Sequence, residues 1–240
     1  LLSKRNVSLL TLLGPAGVGK TRLALQLAHE QEKLAVFKDG VYFITLDALS
    51  DATLIPSSLL SHFGLTQQGK TEPLTQLADF IAKNNMLLVF DNFEHLSEGS
   101  SLLSELLSKC PNLKLLVTSR EKLNLEEEYI FTLEGLPFAT TFTEATKLSD
   151  AVQLFGERAR QVQPRFEVEQ HLSDVVRICG LVEGLPLGLE LAASWVRLMS
   201  CHEIASEIEK GLELLTSTSK NVPKRHQSLK AAFEQSWKLL

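Results

Sequence analysis

Cysteine is scarce and scattered. Cys110, Cys179 and Cys201 are the only three among 240 residues, too few and too far apart for a disulfide framework or a cysteine-based zinc site. They read as reduced thiols of a cytoplasmic protein. No apolar run approaches the length of a membrane span and no secretory signal opens the chain, so no membrane partner is expected. A dense basic stripe is also missing and the net charge is −5, which argues against direct nucleic-acid contact by this segment. There is no Asn-Lys-X-Asp sequence of the kind that reads guanine. No initiator Met is present, and residues 229–240 form a helix-like pattern that stops without a cap. The chain is therefore expected to be part of a longer protein. With 44% hydrophobic and 22% charged residues it has the composition of a globular protein. Its length suffices for one large domain or two small ones.

What is present centres on Gly14-Pro15-Ala16-Gly17-Val18-Gly19-Lys20-Thr21. An apolar run, residues 7–13, enters it and an amphipathic run, residues 22–29, leaves it: strand, glycine-rich loop, helix, the context of a P-loop. Glycines let successive backbone N–H groups turn into one concavity, and the helix N-terminus adds partial positive charge. Lys20 suits the β- and γ-phosphates and the Thr21 hydroxyl suits Mg²⁺. The alternative is a glycine-rich turn matched by chance, which the flanking strand and helix disfavour. Arg22, the next residue, joins the expected nucleotide-binding set.

Further strands are expected at residues 41–46, 86–90, 113–117 and 129–133, with helices between them. Ser50 or Asp51 caps a helix that Pro56 delays or breaks. Pro73 opens another in its first turn, and residues 100–109 form a third. Alternating strands and helices predict an α/β fold, a mostly parallel sheet with helices on both faces. Ligands of such sheets bind beyond the carboxyl ends of the strands, where all three polar clusters fall. Threonines 140, 141, 143 and 146 then mark a polar connection. Helices without strands follow at residues 150–160, 172–179, 187–198, 202–215 and 228–240, a small all-helical second domain.

Asp91 ends the third strand after four apolar residues, as a Mg²⁺-holding Asp does in P-loop proteins; the bland reading is a turn-capping carboxylate. Asn92 follows, and an amide cannot act as a base. Glu94 is the nearest substitute, with His95 beside it, and reads equally as a solvated helix-start carboxylate. Slow turnover is expected. Arg120, after Thr118 and Ser119, can reach a γ-phosphate and tell ATP from ADP; the alternative is a surface Arg. Pro186, in Gly184-Leu185-Pro186-Leu187, starts a helix, which explains it without a ligand; the functional reading packs this turn on the nucleotide base, closing a cleft between domains. The other histidines lack ligand spacing, Trp195 and Trp237 read as core, and Lys224-Arg225-His226 reads as a short basic spot for solvation or an interdomain contact, not for DNA.

In order and spacing, residues 14–21, 87–95, 118–120 and 184–187 resemble the motifs of the STAND ATPases, signal-transduction ATPases with numerous domains. Stretches 14–25, 88–96, 116–123 and 225–240 look like the bacterial NB-ARC-like branch found in large transcriptional regulators. The resemblance implies a three-layer P-loop sandwich over residues 1–137, a helical ARC-type domain over 138–222, and the start of a winged-helix domain at 223–240. It places the fourth strand between the P-loop strand and the Asp91 strand, bringing Arg120 to the γ-phosphate, and puts Pro186 on adenine. It implies ATP or ADP with Mg²⁺ as ligands, a closed ADP form that opens on ATP exchange, nucleotide-dependent homo-oligomerisation, and sensor and effector domains outside this segment as partners. The family's upstream Gly-Arg motif and the ADP-sensing histidine of its winged helix are not included, and Gly188 stands where the family has Ala. The rival readings are a P-loop kinase of a small molecule, disfavoured by the lack of an arginine-rich lid, and a nucleotide-binding scaffold without turnover, which Asn92 favours and Lys20, Thr21 and Asp91 disfavour.

Overall fold

A computed structural model of the chain describes residues 1–2, 4, 6–66, 71–138 and 149–211. The strands are β1 (Leu9–Leu13), β2 (Val41–Thr45), β3 (Leu87–Asp91), β4 (Lys114–Ser119) and β5 (Glu128–Thr132), and all pair in parallel in the order β2-β3-β4-β1-β5. β3 is buried along its whole length, as a parallel strand covered on both faces must be. The register sets Leu9 beside Leu115 and Leu115 beside Leu88, so these share one face.

That face carries Leu88, Phe90, Leu115 and Val117 into a core with α2 (Ile55–His62), α3 (Pro73–Ile81) and α4 (Ser100–Lys109). The other face is covered by α1 (Lys20–Lys33), whose buried Ala24 and Ala28 let the helix lie close to the strands. Helices on both faces of a parallel sheet make this the α/β architecture of a P-loop ATPase. Asp51 accepts a bond from the Thr53 N–H at 2.8 Å and starts a 3₁₀ turn, Ala52–Leu54. The α-helix begins only at Ile55, so Pro56 falls in its first turn, where no N–H is needed.

Contacts divide the chain into two compact units, Leu1–Gly14 with Lys20–Thr132, and Pro15–Gly19 with Leu133–Leu240. In the second, the helices are α5 (Asp150–Val162), α6 (Leu172–Leu181), α7 (Pro186–Ala193) and α8 (Cys201–Lys210). Phe155, Val175, Ile178, Leu189, Ala192 and Ile204 form its core, and it contains no strand among the described residues. α7 stops short of the expected residue 198. The Ser194 hydroxyl donates to Leu191 O at 2.6 Å, and the next N–H groups bond three residues back, Trp195 to Ala192 and Val196 to Ala193, tightening the helix into turns. Gly188 is buried within α7. α8 opens on a capping box between Ser200 and Glu203. The expected threonine-rich connection, the winged-helix start at residues 223–240, Lys224-Arg225-His226 and Trp237 lie outside the described residues.

The turn before α7 is held by backbone. Gly184 has φ +65°, and a Cβ there would stand 2.1 Å from Leu136 O. Leu136 N–H in turn donates to Gly184 O at 2.8 Å. Gly184→Ala is therefore expected to cost about 2–3 kcal/mol, from left-handed strain plus the clash. Urea unfolding of the variant checks this; an unshifted midpoint would show that the turn relaxes freely.

Candidate functional site

The site is built where β1, β3 and β4 end side by side. β1 delivers Gly14, whose N–H donates to Ser119 O at 3.3 Å at the end of β4. The loop then runs to α1 with Gly17 at φ +78° and Gly19 at φ +101°, conformations that an L side chain rarely adopts. α1 begins at Lys20, so Lys20 and Thr21 occupy its first turn.

Lys20 is buried, and its Nζ donates to Gly14 O at 2.8 Å. Desolvation lowers its pKa from 10.5 to about 8; Glu94 and Asp91 oppose that shift and Arg120 adds to it. Asp91 is fully buried at the end of β3. It accepts the Thr21 hydroxyl at 2.8 Å and 3.0 Å, one to each oxygen, and the Thr118 hydroxyl at 2.7 Å. Thr118 Oγ1 accepts the Asn92 N–H at 2.9 Å, tying β3 to β4 through one side chain.

Asn92 sits in the left-handed region, φ 62° and ψ 55°, which asparagine tolerates better than most residues. Its amide donates to Asp47 Oδ1 at 2.8 Å, just past β2. Glu94 lies in the first turn of the 3₁₀ helix Phe93–Gly99. Its Oε1 lies 2.9 Å from Arg120 Nε, with the two side chains only 11% and 13% exposed. His95 Nε2 lies 3.1 Å from Leu46 O and 3.2 Å from Leu49 O. Both neighbours are acceptors, so a proton on this nitrogen lets the ring clip the loop after β2.

The structure thus gathers Gly14, Lys20, Thr21, Asp91, Glu94 and Arg120 in one unit. Glu94 is not the solvated helix-start carboxylate of one reading, and Arg120 is not a free surface cation. Arg22 is exposed on α1. Pro186 is the first residue of α7 in the second unit, with Leu185 as the cap. Two residues went unassigned in the sequence. Thr118 was visible as part of a polar cluster, but nothing marked its hydroxyl as the bridge. Asp47 carries no mark in the sequence, and only the pairing of β2 with β3 brings it to Asn92.

The oxygen donors fit a magnesium nucleotide. A hydroxyl and a carboxylate already within hydrogen-bond distance, beside a desolvated ammonium, are what Mg²⁺ takes from a protein when phosphates and water complete its shell. Thr21 and Asp91 would hold it, and Lys20 would meet the phosphates. Bound there, the ion would neutralise phosphate charge.

A family model described as an AAA domain matches residues 4–125. Over 234 residues, 97% of this chain, the sequence is 35% identical to a protein of Mycobacterium tuberculosis named for an HTH-type transcriptional regulator. This chain spans 25% of that relative's length. It is 26% identical over 204 residues, 82% of this chain and 19% of the relative, to the disease resistance protein RML1B of Arabidopsis thaliana. Among solved structures, Cdc6p from Pyrobaculum aerophilum matches with a TM-score of 0.56 at 17% identity, over 96% of this chain and 73% of that one. That match is a likeness of fold. No helix among the described residues is long and apolar enough to cross a membrane.

Proposed function

The chain belongs to the AAA domain family, and from that premise we propose that it is the ATP- and ADP-binding switch module of a larger cytoplasmic signalling or transcription-regulating protein. The observation that carries this reading is the polar cluster around Asp91. One buried carboxylate takes hydroxyls from the first turn of α1 and from β4, beside a desolvated Lys20. Lys20 and the Gly14–Thr21 backbone bind the phosphates, Thr21 and Asp91 hold Mg²⁺, Arg120 meets the γ-phosphate, and Pro186 touches adenine. Residues 1–137 serve as the nucleotide domain and 138–222 as the helical ARC-type domain. Partners are the sensor and effector domains of the same protein and other copies of it.

Turnover is slow in this reading. Asn92, next to Asp91, has no basic atom, and Glu94 is engaged by Arg120. A module that holds its nucleotide suits a switch, in which ADP and ATP favour different arrangements. The test is small-angle scattering of the protein saturated with Mg-ADP and with a non-hydrolysable Mg-ATP analogue. Distinct profiles are expected; superimposable profiles at confirmed saturation would contradict the switch while leaving nucleotide binding intact.

A further inference from the structure

Glu94 and Arg120 come from different strand ends, after β3 and after β4, yet meet at 2.9 Å with both side chains close to nine-tenths buried. The arrangement is lopsided. Glu94 Oε1 meets the guanidinium as an ion pair and not as an aligned hydrogen bond, while Glu94 Oε2 is buried with no hydrogen-bond partner. A buried carboxylate oxygen left unsatisfied costs free energy that an exposed one does not. The pair also lies within electrostatic reach of the phosphate-binding lysine, Glu94 favouring its charge and Arg120 opposing it. Lys20 and Arg120 against Glu94 and Asp91 make two positive groups facing two negative ones, so the cluster is neutral as it stands.

Phosphates entering this cluster upset that balance in two stages. The phosphates of ADP match Lys20. A γ-phosphate adds a further anion, which is repelled by Glu94 and attracted by Arg120. It therefore competes with Glu94 for the guanidinium. We propose that Glu94 is the resident counter-ion of Arg120 and that a γ-phosphate displaces it, so that Glu94 sets how strongly the site prefers ATP over ADP. This rests on the nucleotide-binding reading above and deepens it. Glu94 acts here as a positioning residue: it holds Arg120 parked while ADP or no nucleotide is bound, and its displacement is the local event that distinguishes ATP. The exchange is non-covalent and needs no co-reactant.

The experiment is calorimetric titration of wild type and Glu94→Gln with Mg-ADP and with a non-hydrolysable Mg-ATP analogue. Gln keeps the shape and removes the charge. Affinity for the analogue is expected to rise about tenfold in the variant while that for ADP moves by less than about twofold, because only the γ-phosphate had to displace a carboxylate. An unchanged ratio, or a loss of affinity for both nucleotides together, would reduce Glu94 to a structural residue and overturn the proposal. A wild type that binds neither nucleotide overturns the nucleotide reading and this one with it; a wild type that binds both, with its preference unmoved in the variant, overturns this one alone. Should Glu94→Gln fail to fold, the ¹⁵N resonance of Arg120 Nε in the wild type, assigned by its loss in Arg120→Lys, decides. It is expected to be alike in the free and ADP-bound protein and to shift with the ATP analogue. One position in all three states would overturn the proposal.

Discussion

Lys20→Ala removes binding of ADP and ATP alike, by about a hundredfold or more, the cost of deleting one partner of a buried charge contact. The loss is not a loss of folding. Burial holds the Lys20 ammonium at a pKa of about 8, against 10.5 in its ordinary state, so at neutral pH the native protein carries a charge that its surroundings disfavour. Removing it also removes the Nζ–Gly14 bond, and the two effects oppose one another. The free variant is therefore expected to unfold near the wild-type midpoint. Calorimetry for affinity and thermal unfolding for stability separate the two; unchanged binding would exclude the loop as the phosphate site.

The same lysine fixes a pH dependence. Below pH 8 it is protonated in both the native and the unfolded chain. Between about 8 and 10.5 the native state sheds the proton while the unfolded chain keeps it, so the unfolded chain binds more protons and this group's contribution to stability rises with pH in that window. Phosphate favours the charged form. Nucleotide affinity is thus expected to fall as pH rises above about 8, and binding at pH 8.5 is expected to take up protons. Titrations in two buffers of different ionisation enthalpy detect that uptake; equal apparent enthalpies would contradict it.

Asp91→Asn is the second large effect. The carboxylate accepts two hydroxyls in the free protein, and an amide can accept with only one of its two atoms. The shape survives, while the charge that Mg²⁺ requires does not. The dependence of nucleotide affinity on Mg²⁺ is expected to disappear and turnover to fall about a hundredfold or more, as when a preorganised charge-stabilising group is lost. Thr118→Val serves as comparison: it removes one hydroxyl donor and the Asn92 N–H acceptor but leaves the carboxylate, so Mg²⁺ dependence is expected to remain. Full Mg²⁺ dependence in Asp91→Asn would return Asp91 to a turn cap.

The site was legible in the sequence where its chemistry depends on residue identity along a short stretch. Gly14 to Thr21 needs glycines at left-handed positions and a Lys-Thr pair at a helix start, and Asp91 closes a fully apolar strand; neither needs a distant partner to be recognised. The Glu94–Arg120 pair spans two strand ends, and Asp47 reaches Asn92 only through the pairing of β2 with β3. Such contacts follow from strand order. The place of β4 between β1 and β3 came from the family resemblance, and the sheet has that order. Apolar periodicity located the helices, but the end of α7 depends on Ser194 bonding backwards, a local competition that periodicity does not register.

One titration bears most directly on the claim that this chain holds an adenine nucleotide. Mg-ADP is titrated into nucleotide-stripped wild-type protein, with Mg-GDP as the control. Saturable binding of ADP at one site per chain and markedly weaker binding of GDP are expected. No measurable ADP binding by folded protein would contradict it.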